Sequence, residues 1–262
     1  MSIAKQFEQT MNRSGRGLSQ QMDRTGLALA VVTNINDEEK LNRVKCVLLD
    51  NDDKGEETDW CYVMSSMGGN QSGTFFFPNV NDLVVVGFLG GDPHHPIVLG
   101  AYWDTKVKPT YVIENAKVYN YSIKTPSGTE IHMYDEPEKQ KFTVTLPSGT
   151  VLCINDEAKS VTIADQKQEN SLVMDLQKGE IALTAKTKLT LAAGQTTIIL
   201  ESSGNITEKA NSKIAMQAAN IEGKANAQLN LEGATTTVKA NASLTMQASG
   251  PTNVKGAIVK IN

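Results

Sequence analysis

The chain has 262 residues, a net charge of −4 and an isoelectric point near 5.5, which allows one large domain or two modest ones. The acidic balance argues against a nucleic-acid partner, which would call for a basic surface. Three widely spaced cysteines, Cys46, Cys61 and Cys153, fit neither a disulfide framework nor a zinc site, and no apolar run of 18 residues predicts a membrane span.

Residues 1–26 predict a polar N-terminal arm. They lack the apolar segment of a signal peptide, so we expect synthesis and folding in the cytoplasm. Ile3, Phe7 and Met11 recur every four residues, which favours a short amphipathic helix. The Ser-Gly-Arg-Gly run at residues 14–17 favours a partly disordered tail instead, and the sequence leaves both alternatives open.

Residues 27–104 predict a small all-β domain. Runs rich in β-branched and aromatic residues alternate with turn signals built from Gly, Pro, Asn and Asp. The strand candidates are residues 27–35, 43–49, 60–65, 82–89 and 96–102. Five short strands in succession favour a closed barrel such as the five-stranded OB-fold.

Residues 105–122 predict a linker, and residues 123–262 predict a long series of short strands. Apolar residues recur in i, i+2 pairs, the period of a β-strand, with a new pair every seven to nine residues towards the C-terminus. The chain has no aromatic residue after Phe142, which predicts a narrow aliphatic interior. The predicted core pairs are Ile181/Leu183, Leu189/Leu191, Ile198/Leu200, Ile214/Met216, Leu229/Leu231 and Leu244/Met246.

The regular repeat indicates a stacked architecture in which each unit contacts only its neighbours. A Pro-Ser-Gly-Thr turn at residues 126–129 and again at 147–150 precedes two of the earlier pairs. A single chain could close such strands into a solenoid, or three chains could wind around one shared axis. Winding three chains together would also remove exposed sheet edges.

Three stretches, residues 31–48, 59–104 and 254–262, resemble the baseplate assembly protein V/VgrG-type spike family of contractile injection systems. The resemblance rests on several motifs in order: an Asn/Asp turn after the first strand, a tryptophan strand, and a Gly-rich loop leading to an aromatic-Pro step. An Asp-x-Val-x-Val strand at residues 82–86 and a Gly-Asp-Pro-x-x-Pro closure at 91–96 complete it. One departure is Asn81, where the family pattern has glycine.

The resemblance implies an all-β homotrimer in which an OB-fold collar leads into an intertwined trimeric β-helix at residues 123–262. It also implies a structural role without catalysis or cofactor: a central spike at the tail-tube tip that pierces the target cell envelope when the sheath contracts. The expected location is the baseplate of a phage tail or tail-like particle. The expected partners are baseplate hub or tube-initiator proteins at the barrel end, and Phe75, Phe76 and Phe77 are the candidate contact residues.

The C-terminal strand predicts a further partner. Val259 and Ile261 would leave apolar side chains and unpaired strand groups exposed at the end of a prism. We therefore expect Val259, Ile261 and Asn262 to contact a small cone that resembles PAAR-repeat tip proteins. Some relatives hold iron at the tip through inward histidines, but here no histidine follows His132, so we expect no metal there.

Two motifs contain residue types that bind metals or act in catalysis, but each has a simpler structural explanation. His94 and His95 could bind a metal or act as a base, but adjacent strand residues face opposite sides, so an exposed turn is the better interpretation. An acidic stretch could bind calcium, yet it lacks the EF-hand pattern, so we expect a solvated loop. Its members are Asp50, Asp52, Asp53, Glu56, Glu57 and Asp59.

Three rival functions remain from other classes. An OB-fold nucleic-acid-binding protein would need a basic groove with interleaved aromatics. A trimeric tail fibre or adhesin would share the strand repeat but normally ends in a globular tip with exposed aromatics. An envelope-degrading enzyme would need a catalytic domain, and the predicted linker is too short to contain the muramidase domain that some relatives carry.

Overall fold

The computed structural model describes residues 26–49, 55 and 57–261, and this part of the chain is all-β. The predicted arm before Gly26, four of the acidic residues (Asp50, Asp52, Asp53 and Glu56) and Asn262 lie outside the described residues. Within them, no helix has the length and apolar character needed to cross a membrane. The chain divides into two compact units between Ala182 and Leu183.

A closed five-stranded barrel forms from the predicted strands. The strands are β1 (Leu27–Asn34), β2 (Arg43–Leu48), β3 (Cys61–Val63), β6 (Leu83–Phe88) and β7 (Pro96–Ala101), in the order β1-β2-β3-β7-β6. Only the β3–β7 pair is parallel, and it closes the barrel. The prediction of a five-stranded OB-like barrel is therefore confirmed, with boundaries within two residues.

Small β-branched and aliphatic side chains fill the barrel. Alternate residues of β1 and β2 point inwards, so Ala30, Val32, Val44 and Cys46 are fully buried, as the strand period requires. Val84, Val86, Val98 and Cys61 complete this core, and the three cysteines are free thiols. No aromatic side chain is among the fully buried residues of the barrel, because its interior is narrow.

A small hairpin between β3 and β6 was not predicted. Its strands, β4 (Gly68–Gly69) and β5 (Ser72–Gly73), have only two residues each. Gly73 adopts φ 145°, and a Cβ there would lie 2.4 Å from the carbonyl oxygen of Met67, so only glycine fits. Hydrogen bonds from Ser65 Oγ to the carbonyls of Met67 and Thr74, both 2.8 Å, tie the hairpin base together.

The departure from the family pattern at Asn81 has a conformational explanation. Asn81 has φ 75°, in the left-handed region that glycine adopts most readily and asparagine tolerates better than other residues. Asparagine thus preserves the turn that places Asp82 before β6. The substitution leaves the fold intact, as expected.

A seven-stranded sheet follows the barrel. Its strands are β8 (Asn120–Lys124), β9 (Glu130–Tyr134), β10 (Lys141–Thr145), β11 (Val151–Asn155), β12 (Ser160–Ala164), β13 (Ser171–Asp175) and β14 (Glu180–Thr184), which lie side by side in chain order. The pairs from β8 to β13 are antiparallel. The first strand begins at Asn120, inside the predicted linker.

The second unit contains a smaller antiparallel sheet and a long extended segment. Strands β15 (Lys188–Ala193), β16 (Thr196–Glu201) and β17 (Ile206–Lys209) form the sheet. The described residues 210–261 contain no strand, although the apolar pairs continue through them. Their backbone bends every seven or eight residues, at residues 211–212, 219, 226–227, 234–235, 241–242, 249–250 and 257–258.

Candidate partner-binding surfaces

One face of the seven-stranded sheet is apolar from strand to strand. The register places Ile131 opposite both Ile123 and Val144, and Met133 opposite both Tyr121 and Phe142. The same alignment continues across the next strands, so each one contributes two apolar side chains to the same face. The face comprises Tyr121, Ile123, Ile131, Met133, Phe142, Val144, Leu152, Ile154, Val161, Ile163, Leu172 and Met174.

This apolar face is more exposed than the opposite face of the sheet. In β9 the apolar Ile131 and Met133 are exposed, whereas Glu130, His132 and Tyr134 on the other face are partly buried. A sheet with one face in water normally exposes its polar side chains and buries its apolar ones. An exposed, contiguous apolar face of this kind is typical of protein–protein contact surfaces.

The predicted core residues fall into two groups. Six lie on strands β14 to β16, where Leu189 is opposite Leu200 and Leu191 is opposite Ile198. The others lie in the extended segment and are exposed, with no strand partner in the described chain. These are Ile214, Met216, Leu229, Leu231, Leu244 and Met246.

The extended segment presents backbone as well as side chains. Its N–H and C=O groups form no ladder within the described chain, so they are available to pair with a strand of another chain. Leu231 is 76% exposed here, so its side chain is equally available for a partner. Val259 and Ile261, predicted to contact a tip protein, are also exposed, while Asn262 lies outside the described residues.

The predicted baseplate contact at Phe75–Phe77 divides into an anchor and two exposed rings. Phe77 packs against the barrel core, and Phe75 stacks on it with 5.0 Å between ring centroids. Phe75 and Phe76 remain 71% and 67% exposed. The anchored Phe77 and the hairpin base therefore hold two large apolar rings in solvent, where a partner could bury them at little entropic cost.

An ion pair that the sequence did not predict closes the β1–β2 connection. Arg43 donates from Nε to Asp37 Oδ2 at 2.9 Å and from Nη2 to Oδ1 at 2.8 Å. The backbone N–H groups of Glu39, Leu41 and Arg43 also donate to this carboxylate. The Arg43 guanidinium, aided by these backbone donors, holds the pKa of Asp37 well below its usual range.

We expect Asp37→Asn to lower the melting temperature of the barrel by roughly 5–10 °C at pH 7, because the turn loses its charged acceptor. The depressed pKa means that the wild-type carboxylate stabilises the fold above about pH 4 and loses this effect as the pH falls further. The variant should lack that part of the pH dependence. Thermal melts of both proteins between pH 2 and pH 7 measure this, and parallel curves would contradict it.

The outer face of β2 and β3 brings together the residue types of a nucleic-acid-binding surface. Arg43 lies 5.6 Å and Lys45 5.5 Å from the ring centroid of Trp60. Both cations already have carboxylate partners, because Arg43 binds Asp37 and Lys45 Nζ binds Glu57 Oε2 at 3.0 Å. The charge needed to attract phosphates is therefore neutralised locally.

The two adjacent histidines lie in the exposed turn before β7 and contact different carboxylates. Nδ1 of His94 lies 2.7 Å from Asp59 Oδ2, and Nδ1 of His95 lies 2.8 Å from Asp92 Oδ2. The bond to Asp59 raises the pKa of His94. The described residues hold no cluster of three or more metal-ligating side chains, and the histidines serve as turn and loop contacts.

The predicted linker docks on the start of the sheet. The ring of Tyr111 stacks on His132 with centroids 4.7 Å apart, and its hydroxyl donates to Glu130 Oε1 at 2.8 Å. Burial and the Glu130 carboxylate raise the pKa of Tyr111 to about 12. Tyr111 is an aromatic residue in a polar connection, which indicates that this connection contacts another part of the protein. The spacing of residues does not identify the contact on β9.

Comparison with known proteins bears on the barrel. Residues 28–103 match the family described as the type VI secretion system/phage-baseplate injector OB domain. A stretch of 80 residues is 35% identical to the actin cross-linking toxin VgrG1 of Vibrio cholerae serotype O1, covering 30% of this chain and 7% of that protein. The chain thus matches a small part of its relative. The barrel at residues 28–103 belongs to the type VI secretion system/phage-baseplate injector OB domain family.

Proposed function

We propose that this chain is the central spike of a contractile injection system, a needle at the tip of the tail tube that pierces the target envelope when the sheath contracts. The family of the barrel supports a place in the baseplate or injector. The observation that carries the proposal is the apolar sheet face that continues strand by strand through β8 to β13. Its occupant is a second and a third copy of the same chain.

Three copies cover the apolar face of the sheet and also supply backbone partners for residues 210–261. The sheet at β8–β14 pairs its backbone internally, so it needs partners only for its apolar face. The extended residues 210–261 need backbone partners as well, which strands of neighbouring copies supply in an intertwined β-helix. A threefold arrangement buries the same pair from each copy at the same level, which gives a stiff shaft without a large single-chain core.

The two ends of the chain have different proposed partners. At the barrel, Phe75 and Phe76 contact the hub or tube-initiator proteins of the baseplate, an interaction supported by their exposure on an anchored loop. At the other end, Val259, Ile261 and Asn262 bind a small cap that resembles PAAR-repeat proteins. A cryo-EM map of assembled particles would show the cap, and a bare tip would rule it out.

The proposed role is structural and needs no cofactor. Mechanical penetration depends on stiffness and cooperative stability, which packed apolar layers provide without turnover. The spike would be built into the baseplate of a phage tail or tail-like particle. A zymogram on cell-wall substrate tests the alternative of an envelope-degrading enzyme, and a clearing zone would contradict the structural role.

The oligomeric state tests the proposal directly. Three copies of the 28.3 kDa chain give a particle of about 85 kDa, which size-exclusion chromatography with light scattering distinguishes from a monomer. We expect the trimer mass at micromolar concentration, because the apolar faces and extended segments have no partners among the described residues of one chain. A folded monomer of 28.3 kDa would disprove the spike assignment.

A further inference from the structure

One side of the barrel is apolar on its outside as well as in its core. Leu29 of β1 is opposite Val85 of β6, and the N–H of Leu49 donates to the carbonyl oxygen of Leu29 at 2.8 Å, so the three residues form one row across the strands. Ala30 and Leu48, the chain neighbours of Leu29 and Leu49, are buried in the core. Because successive strand residues face opposite sides, the row points outwards.

Two further leucines extend this row along β1 and β7. Leu27 is opposite Gly87, and a Cβ on Gly87 would lie 3.4 Å from Leu27 Cδ2 and 3.4 Å from Leu99 Cδ1, so both leucines lie over the glycine. Leu27 is 70% exposed and Leu49 is 52% exposed. Contiguous apolar groups on the outside of a small domain are typical of contact surfaces. We call these residues the outer patch: Leu27, Leu29, Leu49, Val85 and Leu99.

The N-terminal arm, residues 1–25, is attached at the edge of the outer patch, because it ends directly before the start of β1. Its apolar residues Ile3, Phe7 and Met11 recur every four positions. The 14 residues between Met11 and Gly26 can span about 45 Å, several times the spacing of about 5 Å between neighbouring strands. The apolar positions of the arm can therefore reach every member of the patch, and covalent attachment raises their effective concentration there.

Charge favours the arm over a second barrel as the occupant of this patch. Residues 1–25 contain four lysines or arginines and two acidic residues, a net charge of +2. Residues 26–104 contain four lysines or arginines and twelve acidic residues, a net charge of −8. Two barrels that faced each other through their outer patches would bring like charges together, whereas the basic arm is attracted to the acidic barrel.

We propose that residues 1–25 bind the barrel of their own chain, with Ile3, Phe7 and Met11 packed on the outer patch. The contact removes apolar side chains of both partners from water, and the opposite charges of arm and barrel add to the attraction. It uses none of the residues of the apolar sheet face and neither of the exposed phenylalanines of the barrel. The inference goes beyond the proposed spike function and does not depend on it, because it concerns contacts within one chain.

Trypsin cleavage of the full-length native chain tests the contact, because the arm contains four lysines or arginines that a bound arm protects. Mass spectrometry follows the rate of cleavage within the arm. The patch variant is Leu27→Ser/Leu29→Ser. Its matched control is Leu89→Ser/Val112→Ser, which removes two exposed apolar side chains outside the patch.

A second pair of variants changes the arm and leaves the barrel untouched. The arm variant is Phe7→Ser/Met11→Ser, which removes two of the three apolar contacts. Its matched control is Gln6→Ser/Gln9→Ser, which changes polar positions of the same segment.

The arm should be cleaved at least roughly tenfold faster in both test variants than in the wild type and the two controls, because cleavage follows the population of unbound arm. Equal rates in all five proteins, or acceleration by only one test variant, would overturn the proposal. A changed assembly mass with unchanged cleavage would overturn it too, since the patch would then be an interface between copies. If the patch variant fails to fold, the arm variant decides, because its substitutions lie outside the barrel.

A cysteine pair identifies which chain supplies the arm. Phe7→Cys/Leu29→Cys is oxidised with copper phenanthroline in a Cys153→Ser background, because the other two native cysteines are buried. A disulfide within one chain, the expected result, leaves the protein at 28.3 kDa in non-reducing electrophoresis. A disulfide between chains, or no disulfide, would refute the contact within one chain and leave the spike assignment intact.

Discussion

Leu231→Ala should lower the melting temperature of the assembled protein by roughly 5–15 °C, because each Leu-to-Ala change in a packed core costs about 2–5 kcal/mol and three copies lose it together. If the protein were a monomer, the opposite result would be expected. Leu231 is 76% exposed there, so its truncation would change almost nothing. Differential scanning calorimetry on the purified full-length chain measures the difference.

The matched control is Glu232→Ala, one residue along the same extended segment. Its side chain alternates to the other side of the backbone and is exposed, so we expect a change in melting temperature of less than about 2 °C. Ile214→Ala should behave like Leu231→Ala, since Ile214 belongs to the corresponding apolar pair of the preceding repeat. Equal, small effects of all three substitutions would mean that these side chains are not buried against other copies.

Replacing both exposed rings, Phe75→Ser with Phe76→Ser, should leave the protein folded while reducing its incorporation into particles by roughly tenfold or more, the effect expected of aromatic interface hot spots. Both rings lie outside the barrel core, so the melting temperature should stay within about 2 °C of the wild type. Complementation of a spike-deficient strain, followed by quantification of the protein in purified particles, measures incorporation.

Two further substitutions separate surface recognition from folding. Phe77→Ser should destabilise the barrel itself, because this ring packs against the core and supports Phe75. Leu89→Ser changes another exposed apolar residue of the barrel and should affect neither folding nor incorporation. Normal assembly of the Phe75/Phe76 variant would assign the baseplate contact to a different surface.

Most strands of the barrel and of the seven-stranded sheet could be predicted from local sequence patterns. Alternation along β1 and β2, together with Asn, Asp and Gly in the connections, defined strands whose bounds the structure reproduces within two residues. The β4–β5 hairpin was not predicted, because two-residue strands of Gly and Ser show no alternation of apolar and polar residues. The Asp37–Arg43 ion pair was not predicted, because the sequence does not indicate which partner a charged side chain near a turn will contact.

For the repeat after residue 180, the sequence does not determine which strands pair with each other. The pairs Leu189/Leu191 and Ile214/Met216 are indistinguishable as patterns, yet the first lies on a paired strand and the second on extended backbone. An i, i+2 pair determines that a segment is extended and which face is apolar. It does not determine whether the hydrogen-bonding neighbour is the next strand of the same chain or a strand of another copy.

The sequence by itself determined the all-β class, the barrel with its family motif, and the two apolar side chains that each later strand presents, because these depend on the short period of a strand and on turn chemistry. Only the tertiary structure decided which strands pair within the chain, how Tyr111 ties the connection to the sheet, and that the apolar face is the more exposed one. Those properties depend on contacts between residues far apart in sequence, and periodicity contains no information about them.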